Sequence, residues 1–91
     1  MSIFEEDGII DMVKELDLPY QEKSVNKKQF LYIYDKGITE LKKQYPNKYT
    51  NLFPPYLRLS YDGTIPYEYR FDGVIGYVTK EKLPDMLNKL V

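Results

Sequence analysis

The chain predicts an α+β fold: a three-stranded antiparallel meander over about residues 56–79, with helices at about 4–17, 38–45 and 80–90. Three observations point there. Apolar and polar side chains alternate between Tyr56 and Thr79, and Asp62-Gly63 and Asp72-Gly73 punctuate that alternation as turn signals. Apolar residues recur at helical spacing near both ends of the chain. The 91 residues, 43% hydrophobic and 30% charged, suit one globular domain spanning 1–91.

The N-terminal helix has a start signal and a stop signal. Ser2 with Glu5 three residues on forms a capping box. Ile9, Ile10, Val13 and Leu16 make one apolar stripe, and Asp11, Lys14 and Glu15 fall opposite. Gly8 weakens the first turn, so regular helix is expected from about Asp7. Leu18-Pro19 ends it.

Residues 20–45 admit two readings. Gln29 to Tyr34 is rich in β-favouring side chains and stops at Asp35-Lys36-Gly37. Read as a strand, it makes a hairpin over 20–34 with Tyr20 to Val25 across Asn26-Lys27. Phe30, Tyr34, Ile38, Leu41 and Tyr45 also fit one helical stripe. The residue types favour a strand followed by a short helix at 38–45, closed by Pro46 in either reading. The loop over 46–55 is expected to plug Leu52 and Phe53 into the core. Pro54-Pro55 stiffens the approach to the meander.

The register of the meander follows from keeping one face apolar. A three-residue loop, Asp62-Gly63-Thr64, pairs Leu59 with Tyr67, Leu57 with Tyr69 and Arg58 with Glu68. A two-residue loop there would mix the faces. Asp72-Gly73 suits a two-residue turn pairing Phe71 with Val74, Tyr69 with Gly76 and Tyr67 with Val78. Gly76 leaves room for the Tyr69 ring. The core face is then Leu57, Leu59, Tyr67, Tyr69, Phe71, Val74 and Val78. Pro66 cannot donate to a ladder and belongs near the loop end. Thr79 is expected to cap the last helix, whose stripe is Leu83, Met86, Leu87 and Leu90.

Composition removes several chemistries. The chain has no cysteine and no histidine, so zinc centres built on them, redox dithiols, cysteine nucleophiles and histidine bases are excluded. Asp7, Asp35, Asp62 and Asp72 each lie beside or near a glycine and read as turn or cap residues. Asp72 with Glu81 and Lys82 lacks the spacing of a metal-dependent nuclease. The glycines form no phosphate-cradling cluster, and no serine has a base to activate it. No catalytic residue, metal site or cofactor is expected. No stretch approaches the ~20 apolar residues of a membrane span. The absent cysteines and the acidic N-terminus favour a cytoplasmic location.

Charge is segregated. Residues 1–19 carry six acids and one base, residues 20–50 seven bases and three acids, and residues 51–91 five of each. The acidic first helix lying beside a basic middle would account for this. A basic patch for an anionic partner would as well.

Ten tyrosines are the most unusual feature. Some serve the core, but Tyr49, Tyr56 and Tyr77 are not needed there. Ile75 and Tyr77 fall on the sheet face opposite the core, with Arg58 and Arg70. Tyrosine beside arginine is the mixture found at interface hot spots. The expected function is therefore a non-catalytic protein-binding module: an inhibitor, an immunity-type protein, an adaptor or a self-assembling protein. Tyr49, Tyr56, Arg58, Arg70, Ile75 and Tyr77 would contact another protein or a second copy in a homodimer. A helix covering that face would remove the argument. The alternative is nucleic-acid binding through Lys23, Lys27, Lys28, Lys42, Lys43 and Lys48.

Overall fold

The computed structural model describes residues 2–49, 51 and 55–91. Its elements in order are α1 (Ile3–Glu6), α2 (Ile9–Glu15), β1 (Tyr20–Val25), β2 (Lys28–Tyr34), α3 (Lys36–Gln44), β3 (Tyr56–Tyr61), β4 (Tyr67–Phe71), β5 (Val74–Val78) and α4 (Leu83–Leu87). The class is α+β, but the sheet has five strands rather than three. They lie in chain order β1-β2-β3-β4-β5, and every neighbouring pair is antiparallel.

The two additional strands come from the ambiguous segment. Leu31 and Ile33 lie opposite Leu59 and Leu57, and all four are fully buried. Phe30, Tyr32 and Tyr34 point the other way, so the period is two and the segment is a strand. The helical stripe through Tyr34, Ile38 and Tyr45 does not exist as one surface. Ile38 and Leu41 are half-buried in α3, and Tyr45 is 52% exposed. Asn26-Lys27 joins β1 to β2, with Asn26 in the left-handed region at φ 56°.

The N-terminal helix is two helices, not one over 4–17. Ser2 caps α1 by accepting from the Glu5 N–H. Gly8 has φ 77°, a conformation that costs a side-chain-bearing residue about 1–2 kcal/mol, and the chain turns there. The Gly8 carbonyl then accepts from Met12 to start α2.

The middle helix starts two residues earlier than expected, at Lys36, because Asp35 caps it through the Ile38 N–H at 3.0 Å. The last helix is confined to Leu83–Leu87 instead of 80–90, and Thr79 does not cap it by its side chain. A turn closed by Lys82 N–H on the Thr79 carbonyl precedes it. That delay puts Pro84 in the first turn, where its missing N–H costs nothing.

The β3–β4 register is shifted by two residues from expectation. Leu59 pairs with Tyr69, Leu57 with Phe71, and Arg58 with Arg70 rather than Glu68. The loop runs from Asp62 to Pro66, ends in a cis Ile65-Pro66 bond, and is organised by the Asp62 carboxylate. That carboxylate accepts from the Thr64 N–H at 3.2 Å and from the Thr64 hydroxyl at 2.7 Å. An even shift preserves the faces and changes only the neighbours. The β4–β5 register is the expected one, with Tyr69 opposite Gly76.

One face of the sheet carries the core. Phe4, Ile9, Ile10, Val13, Leu18, Leu83, Leu87 and Leu90 pack on Leu31, Ile33, Leu57, Leu59, Tyr67 and Val78. Of the expected core face, Tyr69 and Phe71 are half-buried, while Val74 at the sheet edge is 57% exposed. The Tyr67 ring lies 5.6 Å from Phe4, and its hydroxyl donates to the Asp7 carboxylate at 2.6 Å, which ties β4 to the end of α1. The expected plugs Leu52 and Phe53, and Pro54, lie outside the described residues.

Candidate functional site

The sheet face opposite the core forms the candidate site. Register puts its side chains in rows that cross the strands. One row runs Gln21, Tyr32, Arg58, Arg70, Ile75, and the next runs Lys23, Phe30, Ser60, Glu68, Tyr77. Tyr34 and Tyr56 form a third, shorter row. The helices α1, α2 and α4 all pack on the other side. Ile75 is 63% and Tyr77 71% exposed, so no helix covers this end of the face.

Aromatic rings occupy the β2–β3 half. Tyr56 sits 5.6 Å from Tyr32 and 6.2 Å from Tyr34, tilted against each. Burial, with the neighbouring Tyr32 and Tyr56 hydroxyls adding to it, raises the Tyr34 phenol above the ordinary tyrosine range. Cations lie over two of the rings. The Lys23 ammonium is 5.3 Å from the Tyr32 centroid, and the Arg58 guanidinium is 5.8 Å from that of Phe30.

The centre of the face is electrostatically uncompensated. Arg58 and Arg70 are directly opposite each other on β3 and β4, an arrangement that like charges disfavour. Neither makes a salt bridge; the two ion pairs among the described residues are Lys36–Asp17 and Lys80–Asp7. The Arg58 Nε and the Ser60 Oγ are both buried and have no hydrogen-bond partner. Leaving such groups unpaired costs about 1–3 kcal/mol each. They line a concavity of about 350 Å³ with Lys28, Phe30, Asp62, Thr64, Pro66, Glu68 and Tyr77. The Thr64 hydrogen bonds hold the Asp62 carboxyl below its usual range, so the rim keeps a negative charge facing Lys28.

At the other end of the sheet, a cleft of about 550 Å³ borders Tyr56 and Arg70 and reaches Asp35, Asp72, Lys89 and Leu90. Its two aspartates have structural duties. Asp35 caps α3, and Asp72 shapes the β4–β5 turn at φ 51°. Among the described residues, no group of three His, Cys, Asp or Glu side chains could hold a metal ion. No helix among them is long and apolar enough to cross a membrane.

The structure brings together Tyr56, Arg58, Arg70, Ile75 and Tyr77 on this face. Tyr49 makes a different contact, edge-on against Tyr45 at 6.1 Å with Lys48 over its ring. The lysines of the basic segment are carried by several elements. Lys23 and Lys28 belong to the open face, and Lys27 sits in the β1–β2 turn. Lys42 and Lys43 flank Gln21 and Tyr34 at the corner where α3 meets the sheet. Phe30 and Tyr32 join the site only because β2 is a strand, so no reading that ended the sheet at β3 could include them. No family model, curated protein or solved structure matches this chain.

Proposed function

We propose that the protein is a non-catalytic binding module that docks an acidic surface of another protein on its open sheet face. The observation that carries this reading is the Arg58–Arg70 pair, unmatched by any carboxylate and set beside buried Arg58 Nε and Ser60 Oγ atoms that lack partners. A partner carboxylate would balance the paired guanidinium charges, and charge-assisted bonds of that kind are the strong ones. Exposed Tyr77 and Ile75 beside Arg70 supply the apolar contact area of an interface hot spot.

Nucleic-acid binding is the second reading, favoured by Lys23 and Lys28 sharing the face with aromatic rings. Base stacking needs an open ring face. Arg58 already lies over Phe30 and Lys23 over Tyr32, and Tyr56 tilts against both Tyr32 and Tyr34. That packing supports the protein reading over the nucleic-acid one.

The test compares wild-type and Arg58→Glu baits incubated with extract of the source cell. Wild type should retain a partner that the folded variant loses, before and after nuclease treatment. Equal capture by both baits would defeat the sheet-face reading. Salt-sensitive binding of mixed single-stranded oligonucleotides by the wild type would favour the second reading instead.

A further inference from the structure

We infer that two copies of this chain join edge to edge through β5, extending the antiparallel sheet across a two-fold axis. The inference concerns the rim of the sheet rather than its open face, and it stands independently of the binding reading above.

The two edges of the sheet are chemically unlike. At one end, β1 carries Glu22 and Lys23 among polar neighbours, the kind of charged edge that discourages strand addition. At the other, β5 reads Val74-Ile75-Gly76-Tyr77-Val78, with no charge, no proline and three of its side chains more than half exposed. An uncharged, apolar edge strand is a template for another strand.

Hydrogen-bond parity selects how that strand would pair. The two-residue Asp72-Gly73 turn makes Phe71 and Val74 a hydrogen-bonded pair, and bonding alternates from there. Val74, Gly76 and Val78 therefore turn their backbone groups toward β4. Ile75 and Tyr77 turn theirs outward, where no described residue meets them. An antiparallel second copy centred on Gly76 sets Ile75 opposite Tyr77 of the second copy, and Tyr77 opposite its Ile75. Each pair exchanges both N–H···O bonds.

Side chains agree with that register. Ile75 meets a tyrosine ring on the open face, and Val74 meets Val78 on the core face. Gly76 lies against Gly76 on the axis, where neither residue adds a side chain of its own and each lies beside the Tyr69 ring of its own copy. Continued past the strand, the same register faces Asp72 with Lys80 of the second copy, opposite charges at each end. Lys80 also holds Asp7 at 3.2 Å, and it remains nearly half exposed. A strand complementary to itself in hydrogen bonding, shape and charge is why a second copy is the occupant. The row from Gln21 to Ile75 would then continue into the second copy's Tyr77, making one face of both open surfaces.

The test is light scattering on the whole chain over a micromolar-to-millimolar concentration series, with Ile75→Pro and Ile75→Lys. Ile75→Pro deletes an outward N–H and leaves the β4 ladder intact. Ile75→Lys places a charge on the edge and keeps the strand even where proline does not fold. Wild type should dimerise, and both folded variants should stay monomeric over the same range. Because the chain has no cysteine, an oxidised mixture of Ile75→Cys and Tyr77→Cys should form the mixed disulfide faster than either variant couples to itself. A wild type monomeric throughout overturns the inference, as does a dimer that survives Ile75→Lys. Arg58→Glu should leave the dimer unchanged; if it alone dissolves the dimer, association runs through the face and the edge proposal is wrong.

Discussion

Gly76 and Tyr69 show a single residue set by its cross-strand neighbour. A Cβ at position 76 would sit 2.9 Å from the Tyr69 Cε1 and 3.0 Å from its Cζ and hydroxyl. Gly76→Ala forces the ring aside, at a cost of about 1 kcal/mol. The same substitution in a Tyr69→Leu background should be neutral or stabilising, since glycine otherwise weakens a strand. Chemical denaturation of the four species reads the coupling. Asp7 and Tyr67 are the second such pair. The Tyr67 hydrogen bond, with help from Lys80, outweighs desolvation and lowers the Asp7 carboxyl. Burial, then the bond to Asp7, raises the Tyr67 phenol beyond the ordinary tyrosine range.

The signs of the two shifts differ. Below about pH 4 the unfolded chain takes up a proton at Asp7 more readily than the folded one, so stability falls as pH falls. Above about pH 10 the unfolded chain releases the Tyr67 proton first, so stability falls as pH rises. Tyr67→Phe should cost about 1–3 kcal/mol at neutral pH. It should also flatten both arms in part: the alkaline one because the raised Tyr34 phenol remains, and the acid one because Lys80 still holds Asp7. Denaturation midpoints across pH check both arms.

At the scale of elements, α3 differs from the other helices. None of its described residues is buried, whereas α1, α2 and α4 each plant side chains in the core. Its order depends on its N-terminal end: the Asp35 cap, the Thr39 hydroxyl on the Asp35 carbonyl at 2.8 Å, and Lys36 N–H on the Leu90 carbonyl at 3.2 Å. Asp35→Ala should therefore speed amide exchange across Lys36–Gln44, equivalent to about 1 kcal/mol of helix stability. Protection in β2 and β3 should hardly change, since the sheet does not draw on the cap. Exchange that rose equally in all three elements would show α3 to be part of the cooperative core instead.

Over the whole molecule the layers divide the charge. The acidic first helices sit on the core side of the sheet, while Lys23, Lys28, Arg58 and Arg70 lie on the open side with Glu68 among them and Asp62 at the rim. A chain of net charge −1 thus presents a basic surface opposite an acidic one. The proposed capture of an acidic partner should accordingly weaken as salt rises through the range where the Debye length drops below ~10 Å.

The Asp72-Gly73 turn, the β4–β5 register and the membership of the two faces were legible because they depend on local chemistry. Asp72-Gly73 accepts left-handed backbone, and alternation sorts Arg58, Arg70, Ile75 and Tyr77 from Leu57, Leu59 and Val78 whatever lies around them. The strand at 28–34 and its hairpin with 20–25 were legible only in part: the residue types favour them, but Phe30 to Tyr34 satisfies both periods, and burial of Leu31 and Ile33 against Leu59 and Leu57 selects the strand. The pairing of Arg58 with Arg70 was likewise hidden. A two-residue slip leaves every face unchanged, so face patterning cannot see it, and the loop organised by Asp62 and Thr64 decides it. Periodicity along the chain determines which way a side chain points. Only contact between distant segments decides which neighbours it meets.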